Sequence, residues 1–383
     1  MQIYSFLFKW KKNCQPNFKK KVSLQFVRTV YVCSNQLVAS FEEAKKNRMS
    51  QIENELETSR LLRDWYRIHK RELPWRESSD PYIIWISEII LQQTRVAQGM
   101  DYFLRFTERF PDVASLASAE EDEVLKYWQG LGYYTRARSL HATAKMIVDR
   151  WGGVFPQTRA EVLKLKGIGD YTASSFLALA FNQPETVVDG NVMRIICRLY
   201  HYTQPLDEIR DIIKEKAAAL TNRQAPADYA SAVMDLGATI CTPKKPQCLL
   251  CPWQNFCKSK SLPDLEASPQ RHRLTKREKY GYVYLISNAA GQIFIRKRTE
   301  KGLLSGLYEF PWREEKLFAE AEESNIEVSH VFTHFKLILK LCFLSTDVLP
   351  DEGIFVNPAD FADYPISTLM KKVYSQYKKH QVC

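Results

Sequence analysis

The sequence predicts a mostly α-helical core followed by a smaller α+β domain, on three observations. Apolar residues recur at helical spacing from about residue 54 to residue 240. A polar, proline-marked stretch, KSKSLPDLEASPQRHR over 258–273, then interrupts the pattern. Beyond it, short β-rich runs flank the turn-forming Asn288–Gly291. The 383 residues are 45% apolar and 26% charged, the mix of a globular chain with room for two ordinary domains. No apolar run of about 18 residues is present, so no membrane-spanning helix is expected.

The elements follow in order. Leu61, Leu62, Trp65 and Tyr66 form the apolar face of a first helix, which Pro74 ends. A second helix begins after Pro81 and is expected to run to Gln98. Helices are further expected over 120–128, 136–149, 160–165, 171–180, 192–200, 207–220 and 227–238, and strands over 280–286, 292–296 and 336–343. The organisation this predicts is an N-terminal extension (1–48), a helical core (49–257), a linker (258–273) and a C-terminal domain (274–383).

The net charge of +10 invites a nucleic-acid reading, but its distribution argues for patience. Residues 1–48 hold ten Lys and Arg against Glu42 and Glu43, which leaves the rest of the chain near neutrality. That segment reads as a transit peptide, a disordered tail, or a stretch upstream of a start at Met49 and absent from the mature protein. A case for DNA binding therefore has to come from local motifs.

Four of the nine cysteines, Cys241, Cys248, Cys251 and Cys257, form a C-x6-C-x2-C-x5-C run. Thiolates so close in sequence can converge on one metal centre. Four cysteines also suit tetrahedral zinc, but zinc sites favour two tight pairs and only one is present here. The spacing is closer to that of an iron–sulfur cluster. Lys244, Lys245 and Lys258 around the loop could meet phosphates or be solvated.

Leu165-Lys166-Gly167-Ile168-Gly169-Asp170-Tyr171-Thr172-Ala173 joins two helical patterns. Two glycines around one apolar residue allow positive φ at both, and the freed amides with the next helix N-terminus suit a phosphate. This has the form of a helix-hairpin-helix, which grips DNA backbone without reading sequence. Followed about twenty residues later by Val188-Asp189-Gly190-Asn191-Val192, and then by the four-cysteine loop, it resembles the helix-hairpin-helix DNA glycosylase superfamily. Leu73-Pro74-Trp75-Arg76, Trp85-Ile86-Ser87-Glu88, Leu91-Gln92-Gln93-Thr94-Arg95 and Gly130-Leu131-Gly132-Tyr133-Tyr134 narrow the resemblance to the adenine DNA glycosylases. The likeness is close over 55–257 and looser beyond. It implies a two-lobed helical core with the active-site cleft between the lobes, a 4Fe–4S cluster on the four cysteines, and removal of adenine mispaired with 8-oxoguanine or guanine in double-stranded DNA.

The residues carry their own argument. Glu88 sits inside the apolar run Tyr82–Leu91. A carboxyl there loses hydration and its pKa rises, so it can serve as a general acid; the bland alternative is a partly exposed Glu on an amphipathic helix. Asp189 before Gly190 reads as an ordinary helix cap, or as an ionised carboxylate that stabilises an oxocarbenium-like sugar. The resemblance implies that Glu88 protonates the adenine, that Asp189 faces the sugar and that Asn191 orients a carboxylate or water. Tyr171 stands where strand-cutting relatives carry a nucleophilic Lys, so a monofunctional enzyme is expected; the rival is an endonuclease III-type enzyme acting on oxidised pyrimidines.

By the same resemblance, Trp75 and Arg76 line the base pocket, and Gln93, Thr94, Leu131 and Tyr133 fill the gap and meet the oxidised guanine. Gly167 and Gly169 hold the DNA backbone. Residues 274–383 resemble the Nudix-like module that these glycosylases use to recognise 8-oxoguanine, with Phe332-Thr333-His334 as the loop that reaches the base. The Nudix hydrolase motif is absent, so no Mg²⁺-dependent nucleotide hydrolysis is expected, and Glu320, Glu322 and Glu323 are expected on a solvated helix face. A monomer inside the cell, cytoplasmic or nucleoid-associated if bacterial, completes the expectation.

Overall fold

The computed structural model describes residues 46, 49, 53–270, 276–300, 302–348 and 352–381. The expectations for residues 1–45, including Cys14 and Cys33, lie outside the described residues. The chain divides into two compact units, Met1–Glu57 and Thr58–Cys383, and the second holds both the helical core and the C-terminal domain.

Helix α1 (residues 53–69) buries Leu62 and Tyr66, and a 3-10 turn follows at Pro74–Arg76. Helix α2 (Pro81–Leu91) starts with Pro81 in its first turn, and the Asp80 side chain caps it by accepting from the Tyr82 amide. The helix expected to reach Gln98 stops at Leu91. Gln93 turns left-handed at φ 57°, and α3 (Val96–Arg109) begins separately. Arg136 explains the break: its Nη1 donates to the carbonyls of Ile89 (2.9 Å) and Ile90 (3.2 Å), left open at the helix end, and also to that of Gln92. Three more helices complete this part: α4 (Val113–Ser118), α5 (Glu121–Trp128) and α6 (Thr135–Trp151).

The short α7 (Arg159–Val162) leads through the glycine hairpin into α8 (Asp170–Phe181). Then come α9 (Gly190–Tyr200), α10 (Arg210–Leu220) and α11 (Pro226–Asp235), the last continuing into a π-helical turn, Leu236–Ile240. Two apolar clusters make two lobes. The first holds Trp85, Phe106, Trp128 and Phe176; the second holds Leu62, Val192, Ile195, Ile213 and Trp253.

The C-terminal domain is a mixed sheet of seven strands: β1 (Arg277–Ser287), β2 (Ile293–Lys297), β3 (Tyr308–Glu309), β4 (Trp312–Arg313), β5 (Glu322–Val331), β6 (Phe335–Ser345) and β7 (Ile354–Val356). The main order is β3-β2-β1-β6-β5, with β1 and β6 parallel; β4 pairs with β1 and β7 with β2. Helix α12 (Thr368–Gln381) adds Leu369, Met370 and Val373 to the core of this domain. One expectation is corrected here. Glu322 and Glu323 lie on strand β5, not on a helix, and Glu323 is bound by Lys340 (2.7 Å) and Lys316. Cross-strand pairing, invisible in a local charge run, decides it.

The domain docks on the core through Leu307, which enters the first lobe's apolar cluster. Polar contacts surround it: Gln129 Nε2 donates to the Ile366 carbonyl (2.6 Å), Lys126 meets Asp363 (3.0 Å) and Lys297 meets Asp122 (2.6 Å). Among the described residues no helix is long and apolar enough to cross a membrane.

Candidate active site and cysteine loop

A cavity of about 660 Å³ opens between the two lobes. Glu88, Asp189, Asn191, Tyr171, Trp75, Arg76, Gln93 and Thr94 all line it. Helix α2 is buried almost all round, from Tyr82 to Ile90, so it has no solvated face on which Glu88 could sit. Glu88 is 8% exposed. Burial pushes its carboxyl up to about 7; the charge of Asp189 adds to the rise, while Ser175 and Arg76 oppose it.

Asp189 is both the ordinary cap and a cavity carboxylate. Its Oδ1 accepts from the Val192 amide (2.7 Å) at the start of α9, and its Oδ2 accepts from Asn191 Nδ2 (2.8 Å). Burial raises its pKa, and these hydrogen bonds together with Arg194 hold it back. Asn191 is fixed in turn: its Oδ1 accepts from Arg194 Nη2 (2.8 Å), which also donates to the Gly237 carbonyl (2.7 Å), while Arg194 Nε donates to the Cys241 carbonyl (2.8 Å). An unbroken hydrogen-bonded path thus links the first loop cysteine to Asp189. Gly237 has to be glycine here, because a Cβ on it would come within 2.5 Å of the Asn191 Cβ.

Trp75 meets both of its readings: it packs edge-on against Phe103 and it lines the cavity. Arg76 is clamped by Asp235, which is wholly buried, at 2.5 and 2.7 Å; Arg71 holds the same carboxylate at 2.7 Å. Gln92 Nε2 donates to Thr172 Oγ1 (3.0 Å), tying α2 to α8. Motif reading left out Arg71, Arg136, Ser175, Arg194 and Asp235. A charged or hydroxyl residue in a helical run carries no signal of its distant partner.

The other expected positions fall elsewhere. Leu131 is 7% exposed and packs with the first lobe's core. The same loop presents Tyr133 instead, 45% exposed, with φ 47°. The Tyr133 hydroxyl bonds Thr333 Oγ1 of the C-terminal domain, where Thr333 and His334 are exposed. The Arg136 guanidinium lies 5.2 Å from the Trp128 ring and 5.5 Å from that of Tyr133, so one cation braces this loop from the end of α5 to Tyr133. In the hairpin only Gly167 takes positive φ (78°), where a Cβ would strike Ser139. Gly169 is extended and stands at the N-cap of α8, so the positive φ that both glycines allow is used at one of them. Both glycines are exposed.

Cys241, Cys248, Cys251 and Cys257 are free and line one small cavity together with Arg198. Arg198 is 1% exposed and reaches Cys241 Sγ (3.6 Å) and the carbonyls of Thr242 (2.7 Å) and Pro243 (3.0 Å). Burial and the neighbouring sulfurs push Cys251 up to about 12 and raise Cys248 and Cys257, so four thiolates here demand a cationic centre. Among the described residues no three His, Cys, Asp or Glu side chains gather tightly enough for a single ion. Zinc would need all four sulfurs at about 2.3 Å from one point. A cluster spreads them over several irons, which fits this arrangement.

Three family models match the chain: "HhH-GPD superfamily base excision DNA repair protein" over 86–218, "Iron-sulfur binding domain of endonuclease III" over 241–257, and a NUDIX domain over 282–376. Fold and cleft thus define a helix-hairpin-helix base excision DNA repair enzyme whose four cysteines carry a 4Fe–4S cluster. Curated relatives narrow the class. An adenine DNA glycosylase of Mus musculus is 32% identical, covering 84% of this chain and 78% of its own length. One of Homo sapiens is 30% identical, covering 84% and 74%. One of Buchnera aphidicola is 32% identical, covering 70% and 78%. The chain belongs to the adenine DNA glycosylase family.

Proposed function

We propose that this protein hydrolyses the N-glycosidic bond of adenine opposite 8-oxoguanine or guanine in duplex DNA and leaves an abasic site. The observation that carries the reading is the pair of carboxyls lining one cavity: Glu88, pushed up to about 7 so that it still carries a proton near neutrality, and Asp189, whose burial-driven rise is held in check by hydrogen bonds from Val192 and Asn191 and by the charge of Arg194. The base is hidden in the stack and has to swing out to be cut. Glu88 then gives its proton to a ring nitrogen of adenine, the C1′–N bond breaks, and the Asp189 carboxylate faces the cationic sugar. Water adds to C1′ and returns a proton to Glu88, with Asn191 orienting the carboxylate. Tyr171 offers no amine to trap the sugar, so the strand stays intact.

Trp75 and Arg76 are assigned to the base pocket, and Gln93, Thr94 and Tyr133 to the gap left in the duplex. Thr333 and His334 are assigned to the oxidised guanine, and Gly167 and Gly169 to the DNA backbone. Cys241, Cys248, Cys251 and Cys257 hold the 4Fe–4S cluster, which cross-links their loop. The division of labour is a glycosylase core (49–257), a linker (258–273) and a recognition domain (274–383) in an intracellular monomer.

The test is a set of duplexes with A:8-oxoguanine, A:G and A:T, analysed with and without alkali. Breaks that appear only after alkali, and only in the first two, are expected. Breaks without alkali, or cutting at oxidised pyrimidines instead, would overturn the reading.

A further inference from the structure

Ser175 lies four residues after Tyr171 on α8, the helix that packs against α2. It is wholly buried, and among the described residues its Oγ has no hydrogen-bond partner. That is unusual, because a hydroxyl inside a helix commonly satisfies itself on the carbonyl three or four residues back. Ser87 does so on Ile84 (2.7 Å) and Thr107 on Phe103 (2.9 Å). Its neighbour Ser174 is held by Arg159 (2.9 Å) and Glu185 (3.0 Å). Gln92 on α2 donates to Thr172 on α8 (3.0 Å), and Glu88 and Ser175 stand about one turn from that contact on the same two packed helices, where the Ser175 hydroxyl acts to lower the pKa of Glu88 and of Tyr171. A buried hydroxyl without a partner is costly to keep, and the group nearest to it changes charge during the reaction.

We propose that Ser175 is a positioning residue for the general acid, its hydroxyl turning to donate to the Glu88 carboxylate in the interval between loss and return of the Glu88 proton. The Ser175 proton stays on Ser175 throughout; only the Glu88 proton leaves to adenine and is replaced from water. The hydroxyl thereby sets how strong an acid Glu88 is. Other groups act on the same carboxyl: Arg76 from the 3-10 turn, Asp189 from the start of α9, and Tyr171 from α8, with Asp235 behind Arg76 and Asp228 and Arg95 on the cavity wall. Ser175 differs from the charged ones in being removable without changing any charge.

The inference rests on Glu88 being the acid, and the experiment separates the two. Single-turnover adenine excision is measured against pH for the parent, S175A and E88Q. Removing a donor to the charged form raises the Glu88 pKa, so S175A should move the basic limb up by about one pH unit. Its melting temperature should be equal to or higher than the parent's, since no formed hydrogen bond is lost and an unpaired buried hydroxyl is removed, and its duplex affinity should match the parent's. S175C, a near-isosteric and weaker donor, should fall between the two profiles, and it gives the same readout if S175A does not fold. Superimposed profiles for parent and S175A, with E88Q inactive, would overturn the role of Ser175 alone. An E88Q enzyme as fast as the parent would overturn the assignment of the acid itself.

Discussion

Among the described residues two glutamates are buried, one in the helical core and one in the C-terminal sheet, and their surroundings differ sharply. Glu88 in the helical core is 8% exposed; Glu309 in the C-terminal sheet is 2% exposed. Burial works to raise both. Glu309 is surrounded by donors: Arg296 Nη2 at 3.0 Å, Arg298 Nη1 at 3.1 Å and Trp312 Nε1 at 2.9 Å. Those three hold it as a structural carboxylate that pins β2, β3 and β4 together. Glu88 has a serine hydroxyl beside it, the influence of Arg76 and the repulsion of Asp189. Burial is common to both; what differs is the number of donors around each carboxyl, and the one with fewer is the one proposed as the acid.

The largest effect should come from Glu88→Gln. A positioned general acid contributes typically 10²- to 10⁴-fold, so adenine excision should fall by about that factor while duplex binding persists. Stability should move the other way. A carboxyl whose folded pKa lies above its unfolded value costs nothing below the unfolded pKa. The cost appears as pH rises from about 4.5 towards 7 and is complete above that. The variant should therefore be more stable than the parent at pH 8, by about 3 kcal/mol as an upper figure, and equal to it near pH 4.5. Melting curves at the two pH values check this, and a variant less stable at pH 8 would break the contrast with Glu309.

Glu309→Gln should show the reverse pattern. It leaves Arg296 and Arg298 to the charge of Glu300, at the edge of the site, and breaking a buried pair from one side typically costs about 3–5 kcal/mol. The domain should unfold earlier in denaturant, while the basic limb of the excision profile stays where it was. A shifted limb with unchanged unfolding would erase the distinction between the two carboxylates.

Much of this division was legible in the sequence. An acid inside an apolar helical run, an Asp-Gly-Asn ahead of a helix and a four-cysteine spacing are local signals; the first two come to line one cavity and the four cysteines another. What stayed hidden was long-range. The break after Leu91 has no glycine or proline to announce it, because Arg136 supplies the cap from another helix. Leu131 and Tyr133 sit in one loop, and only packing decides that the first turns inward and the second outward. Glu322 and Glu323 resemble a solvated helix until β6 pairs with them. The donors around Glu309 come from strands separated by loops, so nothing in its local sequence sets it apart from Glu88.

Asp235 sharpens the comparison most finely, because it clamps Arg76 on the lining of the cavity that holds Glu88 and, like Glu309, is ringed by guanidinium donors. Although burial pushes its carboxyl up, hydrogen bonds and charge from Arg76, then Arg71, outweigh it and hold the pKa down. Its stabilising contribution is present above the unfolded pKa of about 3.8 and is lost as pH falls through the lower folded value. In Asp235→Asn the charge of Arg76 is no longer balanced, and a negative neighbour behind Arg76 is gone. Both changes favour the charged form of Glu88. The basic limb of excision should therefore move down, by about half a pH unit, opposite to the shift expected for S175A. Single-turnover rates for the two variants in one pH series measure both signs together. A D235N limb that moved up would mean that Arg76 reaches Glu88 only when Asp235 holds it, and the ion pair would then belong to the acid's own machinery.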